Sequence, residues 1–180
     1  MDPLEIAVGL KERFADDVLH ISNFRGQVGV YLKKPHLVEI ARLLHDTPEY
    51  CLDYLKDLCG VDYMDIKMPR FEVVYHLYSM QHGHMLRLNV QVSEHSPDID
   101  SVVDIWAGAN WHERECYDMY GIVFNNHPDL RRILMPEDWE GHPQRKDYPT
   151  AGPEEEWRGF KEVERKAEEF KKYQWNRKKT

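Results

Sequence analysis

The hydrophobic positions of this chain change period several times, and each change marks an element. Near the N-terminus Leu4, Val8 and then Leu10 or Lys11 keep helical spacing to about Asp17, with Pro3 at the start. Residues 27–32 alternate toward a short strand bounded by Gly26 and Pro35. Leu37, Ile40, Ala41 and Leu44 share one face of a second helix over residues 35–44. Thr47-Pro48-Glu49 reads as the start of a third helix, with Cys51, Leu52, Leu55, Leu58 and Cys59 inward and Gly60 at its end. Two runs rich in β-branched and aromatic residues follow, 71–80 and 85–92, and the glycine within 81–84 suits a tight turn. This predicts a hairpin at the centre of a small sheet.

From Asp98 to Tyr120 the spacing predicts one helix, opened by Ser96-Pro97-Asp98 and closed by Gly121. It is crowded with charge among aromatic residues. Glu113 and Glu115 lie two residues apart, about 200° around a helix, so they do not share a site. Arg114 stands four residues before Asp118 and is its expected partner. Glu113, Arg114, Glu115 and Asp118 are therefore read as structural ion pairs, because charges near apolar surface are normally paired. A metal site on Glu115 and Asp118 is the lesser alternative.

Beyond it, residues 125–152 hold no period of 2 or 3.6. Pro128, Pro136, Pro143 and Pro149 interrupt the run, with Gly141 and Gly152 between or after them. A connection this long is either disordered or functional, and Leu130, Ile133, Leu134, Met135, Trp139 and Tyr148 are side chains a free linker would not carry. An extended arm docking on another surface is expected, with Arg131, Arg132, Arg145 and Lys146 suited to facing carboxylates. An arm folded back over its own domain is the other possibility. Adjacent Arg131 and Arg132 cannot point the same way, so one of them is expected to brace the arm internally. Residues 153–173 then predict a last helix with Trp157, Phe160, Val163, Ala167 and Phe170 in one apolar stripe, lying on its own core or on a neighbour. The chain divides into an α+β domain at 1–124, the arm at 125–152, and an amphipathic helix and tail at 153–180.

Composition narrows the function. With 180 residues, 42% hydrophobic, the chain is long enough for a real core. A net charge of −8 argues against nucleic-acid binding, which needs a concentrated basic surface. No apolar run approaches the ~20 residues of a membrane-spanning helix, and the N-terminal stretch does not read as a secretory signal. Any membrane association is expected to be indirect. Cys51, Cys59 and Cys116 have no C-x-x-C spacing, so neither a zinc nor an iron–sulfur site is signalled. His82 and His84 at the hairpin turn lack a third ligand in sequence and read as loop residues. There is no G-x-G-x-x-G, no phosphate loop and no G-x-S-x-G elbow. Nothing here signals a cofactor.

Several fragments occur in a telling order: Glu113-Arg114-Glu115; Asp118-Met119-Tyr120-Gly121; His127-Pro128-Asp129-Leu130-Arg131-Arg132-Ile133-Leu134; Gly141-His142-Pro143; and Arg145-Lys146-Asp147-Tyr148-Pro149. Together they resemble the hallmark of the C-subunit family of NADH-quinone oxidoreductase, from the peripheral arm of respiratory complex I. The likeness reaches upstream more loosely through Phe71-Glu72-Val73-Val74-Tyr75 and Ala109-Asn110-Trp111, covering most of residues 1–150. Tyr120 and Tyr148 stand where many relatives have Phe. The resemblance implies a cofactor-free, non-catalytic scaffold subunit of a complex that passes electrons from NADH to quinone and translocates protons. It implies contact chiefly with the D subunit of complex I, with the B and I subunits nearby. Flavin, iron–sulfur clusters and the quinone site then belong to other chains, and the location is the cytoplasmic side of the cell inner membrane. Leu130, Arg131, Arg132, Ile133, Leu134, His142, Arg145, Lys146, Asp147, Tyr148 and Pro149 become the expected interface. Two alternatives remain: the equivalent subunit of a membrane-bound hydrogenase or other reduced-cofactor dehydrogenase complex, and a metal-dependent enzyme using Glu115 with Asp118 or His82 with His84.

Overall fold

The computed structural model describes residues 1–150 and 157–172. Helix α1 spans Pro3–Arg13, and its first turn is closed by Asp2, which accepts from the Leu4 N–H at 2.8 Å while Glu5 accepts from the Asp2 N–H. It is shorter than its apolar spacing suggests and turned differently: Ile6, Ala7 and Leu10 are buried, whereas Leu4 and Val8 are exposed. Strands β1 (Val18–Phe24) and β2 (Gln27–Lys33) form a hairpin. Helix α2 (Leu37–Asp46) buries Leu37, Ile40, Ala41 and Leu44, the face its spacing predicts.

The expected third helix is instead a turn followed by strand β3, Tyr54–Asp62. The error has a physical origin. A bulge between Leu55 and Asp57 adds a residue to the strand, so Leu55 and Leu58 both face inward three positions apart and imitate a helical step. Strands β4 (Phe71–Tyr78) and β5 (Met85–Val92) pair antiparallel as the predicted central hairpin. The sheet order is β1-β2-β5-β4-β3, with β2 and β5 parallel and the other pairs antiparallel. The fold is thus α+β.

The long helix expected over 98–120 divides as well. Strand β6 (Asp98–Asp100) pairs in parallel with β7 (Val123–Asn125), a turn follows, and helix α3 is confined to Ala109–Tyr120. The turn contains helix-like bonds, such as Trp106 N–H to the Val102 carbonyl at 3.0 Å, which explains its apolar spacing. Trp106 then donates its indole N–H to the Leu52 carbonyl, tying this turn to the start of β3.

Helix α3 lies against β3 at Gly60, where an added Cβ would stand 2.6 Å from the Tyr120 ring. Gly60→Ala should therefore force the helix away and lower stability by about 1–3 kcal/mol. A lower urea midpoint with unchanged slope would show it; an unaltered midpoint would mean the ring swings aside freely.

Helix α4 spans Arg158–Lys172. Its stripe does not settle on the core, since Phe160, Val163 and Phe170 are exposed. Residues 153–156 of the expected helix and the tail after 172 lie outside the described residues.

Candidate partner-docking site

The site is built where the C-terminal end of α3 meets the segment that follows β7. Residues 126–150 form neither helix nor strand, yet α3 fixes them at several points. Asp118, fully buried, is the centre. Its Oδ2 accepts the backbone N–H groups of Ile133, Leu134 and Met135 at 3.0, 2.7 and 2.8 Å. Its Oδ1 accepts from Arg132 Nη1 at 2.7 Å. Burial works to raise the Asp118 pKa, but these N–H groups and the Arg132 guanidinium outweigh it and hold the carboxyl below its ordinary value.

This corrects the expected pairing of Arg114 with Asp118. Arg114 stacks on Trp111 and donates to the carbonyls of Arg131 and Arg132 at 3.2 and 3.0 Å. The two residues stand four apart on the helix and both hold the arm, not each other. Glu113 is also not an ion-pair member in the expected sense. It accepts from Ser101 Oγ at 2.6 Å and Val102 N–H at 2.8 Å, with His127 Nε2 4.0 Å away. Burial pushes its carboxyl up to about 7, against those two hydrogen bonds. His127 uses Nε2 toward the Asn110 carbonyl and accepts the Asp129 N–H at Nδ1. Glu115 is exposed and does not converge with Asp118.

The arm also finishes the helix. The last carbonyls of a helix lack internal partners. Here His142 Nδ1 donates to the Asp118 carbonyl at 3.0 Å, Gln144 N–H to Met119 at 3.1 Å, and Arg145 Nε to Tyr120 at 2.6 Å. Arg145 thereby places positive charge at the negative end of the helix dipole. Gly121 makes this approach possible. Its φ is +71°, and a Cβ there would meet His142 and Arg145 within 2.6 Å.

A second clasp lies at the sheet. Arg70 holds Asp62 through Nε–Oδ1 at 2.9 Å and Nη2–Oδ2 at 2.8 Å, and Asp147 through Nη2 at 2.7 Å and Nη1 at 3.1 Å. The Lys146 N–H adds a bond to Asp62 at 2.8 Å. Burial opposes ionisation of Asp62, yet Arg70 and the Lys146 and Met64 N–H groups pull its carboxyl down to about 2. Sequence reading missed this clasp, because its partners lie 77 residues apart and Arg70 carries no local signal.

Of the expected interface residues, Arg132, His142, Arg145 and Asp147 therefore bond within the chain, and Leu130 packs against the core. Ile133 is half-buried, and the Tyr148 hydroxyl donates to the Glu140 carbonyl. Arg131, Leu134, Lys146 and Pro149 are exposed, and Arg131 pairs with the likewise exposed Asp129 at 2.9 Å. His82 and His84 each hydrogen-bond a backbone carbonyl, of Pro48 and Tyr50 respectively.

Fold and clasp together define a small α+β domain that holds the segment after β7 folded back on itself, against the expectation of an arm extended toward another surface. Comparison with known proteins gives that class a family. Residues 30–154 match the family described as respiratory-chain NADH dehydrogenase, 30 kDa subunit. The chain is 47% identical over 154 residues to the C subunit of NADH-quinone oxidoreductase from Roseiflexus sp. strain RS-1, covering 86% of this chain and 88% of that one. It is 49% identical over 146 residues to the protein of the same name from Geobacter metallireducens, covering 81% and 89%. A solved trypsin-resistant fragment of Nqo5 superposes with a TM-score of 0.60 at 32% identity, over 71% of this chain and 99% of the fragment. A polypeptide of an archaeal membrane-bound sulfane sulfur reductase shares the fold, with a TM-score of 0.68 at 18% identity over 93% of this chain and 92% of that one. The chain belongs to the respiratory-chain NADH dehydrogenase 30 kDa subunit family.

Proposed function

We propose that the chain is a scaffold subunit in the hydrophilic arm of NADH-quinone oxidoreductase, holding no cofactor itself. In this reading the outward side of its arm fastens it to the D subunit of that complex, with the B and I subunits close by. Flavin, clusters and quinone site lie in those and other chains, and the complex passes electrons from NADH to quinone with proton translocation. The names of the relatives support the quinone reductase over a hydrogenase-type complex.

The observation that carries the reading is the anchoring of the arm from within. A segment without helix or strand is fixed by Asp118, Arg114, Arg70 and the end of α3. Fixing a segment before it binds removes the ordering cost that a free loop would add to association. The residues left outside suit a partner. Leu134 is 60% exposed, and Trp139, Pro143, Lys146, Tyr148 and Pro149 line an open groove of 440 Å³. The exposed Phe160 and Val163 on α4 offer a second apolar contact.

Among the described residues no helix is long and apolar enough to cross a membrane. Attachment to the cytoplasmic side of the inner membrane, in this reading, comes through partners. The test is Arg131→Glu with Leu134→Asp, whose side chains lie outside the internal clasps, followed by purification from native membranes in mild detergent. Recovery of the other subunits should fall about tenfold or more. Undiminished recovery would remove this side of the arm from the interface.

A further inference from the structure

The sheet face opposite the core is not where the arm is clasped, and among the described residues helix α3 reaches it only at the β3 edge, where His112 approaches Asp57. Strand register sets Ser22, Gly29, Arg87, His76 and Asp57 side by side across it, from β1 to β3. Beside that row Asn89 stands between Tyr31 and Val74. Gly29 has no side chain, and its neighbours close over it: an added Cβ would lie 2.8 Å from Ser22 Oγ, 3.3 Å from Asn89 Nδ2 and 3.4 Å from Arg87 Nε.

Asn89 and Arg87 are both donors without acceptors. Asn89 is 2% exposed, and its Nδ2 has no hydrogen-bond partner among the described residues. Arg87, half-buried, makes no hydrogen bond or ion pair among the described residues. An orphaned buried donor carries a desolvation cost of about 1–3 kcal/mol, which an arriving acceptor would relieve. The carboxylates that the strands carry on this face already have neighbours. Asp57 lies 3.6 Å from His76 Nδ1 and 3.8 Å from His112 Nδ1, and Glu72 is paired with Lys67. Arg87 also lines a cavity of 560 Å³ with Gln27, Lys56, His76 and His84. On the same face Phe24, Tyr54 and Met85 are exposed, with Tyr78 between the last two in register.

We propose that this face docks an acidic segment of a partner polypeptide, one carboxylate of which is received by Arg87 and Asn89 beside Gly29. Apolar side chains beside that carboxylate cover Phe24, Tyr54 and Met85. The guanidinium fork matches a carboxylate in two places, and the Asn89 amide supplies a further donor. A nucleic acid or anionic membrane does not fit, since the chain carries −8 and Asp57 and Glu72 flank the site. This inference rests on the chain working inside a larger assembly, but it uses residues that the arm does not.

The test is zero-length carbodiimide coupling in the intact complex from native membranes, carrying Arg87→Lys. That reagent joins an amine to a carboxylate in contact with it and leaves arginine untouched. The expected result is a peptide spanning position 87 joined to an Asp or Glu of another subunit, absent from the unsubstituted complex. Coupling only to this chain's own carboxylates, or none, overturns the inference while the complex still co-purifies. Loss of all partners from the unsubstituted chain would instead overturn the scaffold reading.

Discussion

Asp118→Ala is expected to release the arm and to lower stability by about 3–5 kcal/mol, the usual cost of removing one side of a buried ion pair. The substitution leaves Arg132, only 12% exposed at its side chain, without its carboxylate, and three N–H groups without their acceptor. Asp118→Asn should cost less, because one amide oxygen still accepts backbone N–H groups while the charge is lost. Urea unfolding reads the loss, and brief trypsin digestion reads its place. A released arm should be cut after Arg131 and Arg132 well before the sheet is attacked. The pH sign follows from the lowered carboxyl: its stabilisation is full above the ordinary value of 3.8 and is lost as pH falls through the lowered one. Acid should therefore free the arm. An Asp118→Ala chain with the wild-type midpoint and cleavage pattern would mean that other contacts hold the arm.

Glu113→Gln should remove a pH dependence more than it removes a contact. The wild-type carboxyl is raised from 4.5 to about 7 by burial, so its protonated form is the one folding favours. The stability it contributes is full below 4.5 and is lost as pH rises through about 7. A shift of that size corresponds to about 3 kcal/mol. Glutamine imitates the protonated acid: its oxygen accepts the Val102 N–H and its amide reaches Ser101 Oγ. The variant should thus match the wild type at pH 5 and exceed it at pH 8 in urea unfolding. Parallel losses in both chains would assign the proton to another group.

The hairpin of β4 and β5 and the buried face of α2 were legible in the sequence, because each depends on local alternation or helical spacing of its own residues. The third helix was not. A strand bulge at Leu55 and Asp57 carries the same local spacing as a helix, and only pairing with β4 separates the two. The division of residues 98–120 was hidden for a similar reason, since β6 exists only through its pairing with β7, some 25 residues away. At the arm, composition showed that its apolar and basic residues must dock. It also showed that Arg131 and Arg132 must diverge. Which of them turns inward, and that Asp118 receives it, depends on α3 and the arm meeting in space.

By itself the sequence determined the α+β class, the central hairpin, the presence of a structured arm and the family likeness. Those rest on composition, short-range periodicity and motif order, all readable along one dimension. Only the tertiary structure decided that the arm is clasped by its own domain, that Arg114 and Asp118 hold it and not each other, and that Arg70 joins Asp62 to Asp147. It also decided that the Asn89 amide, beside Arg87 and Gly29, has no acceptor among the described residues. Charge partners are chosen by distance after folding, and groups far apart in sequence become neighbours only when burial makes an unpaired charge too costly to leave alone.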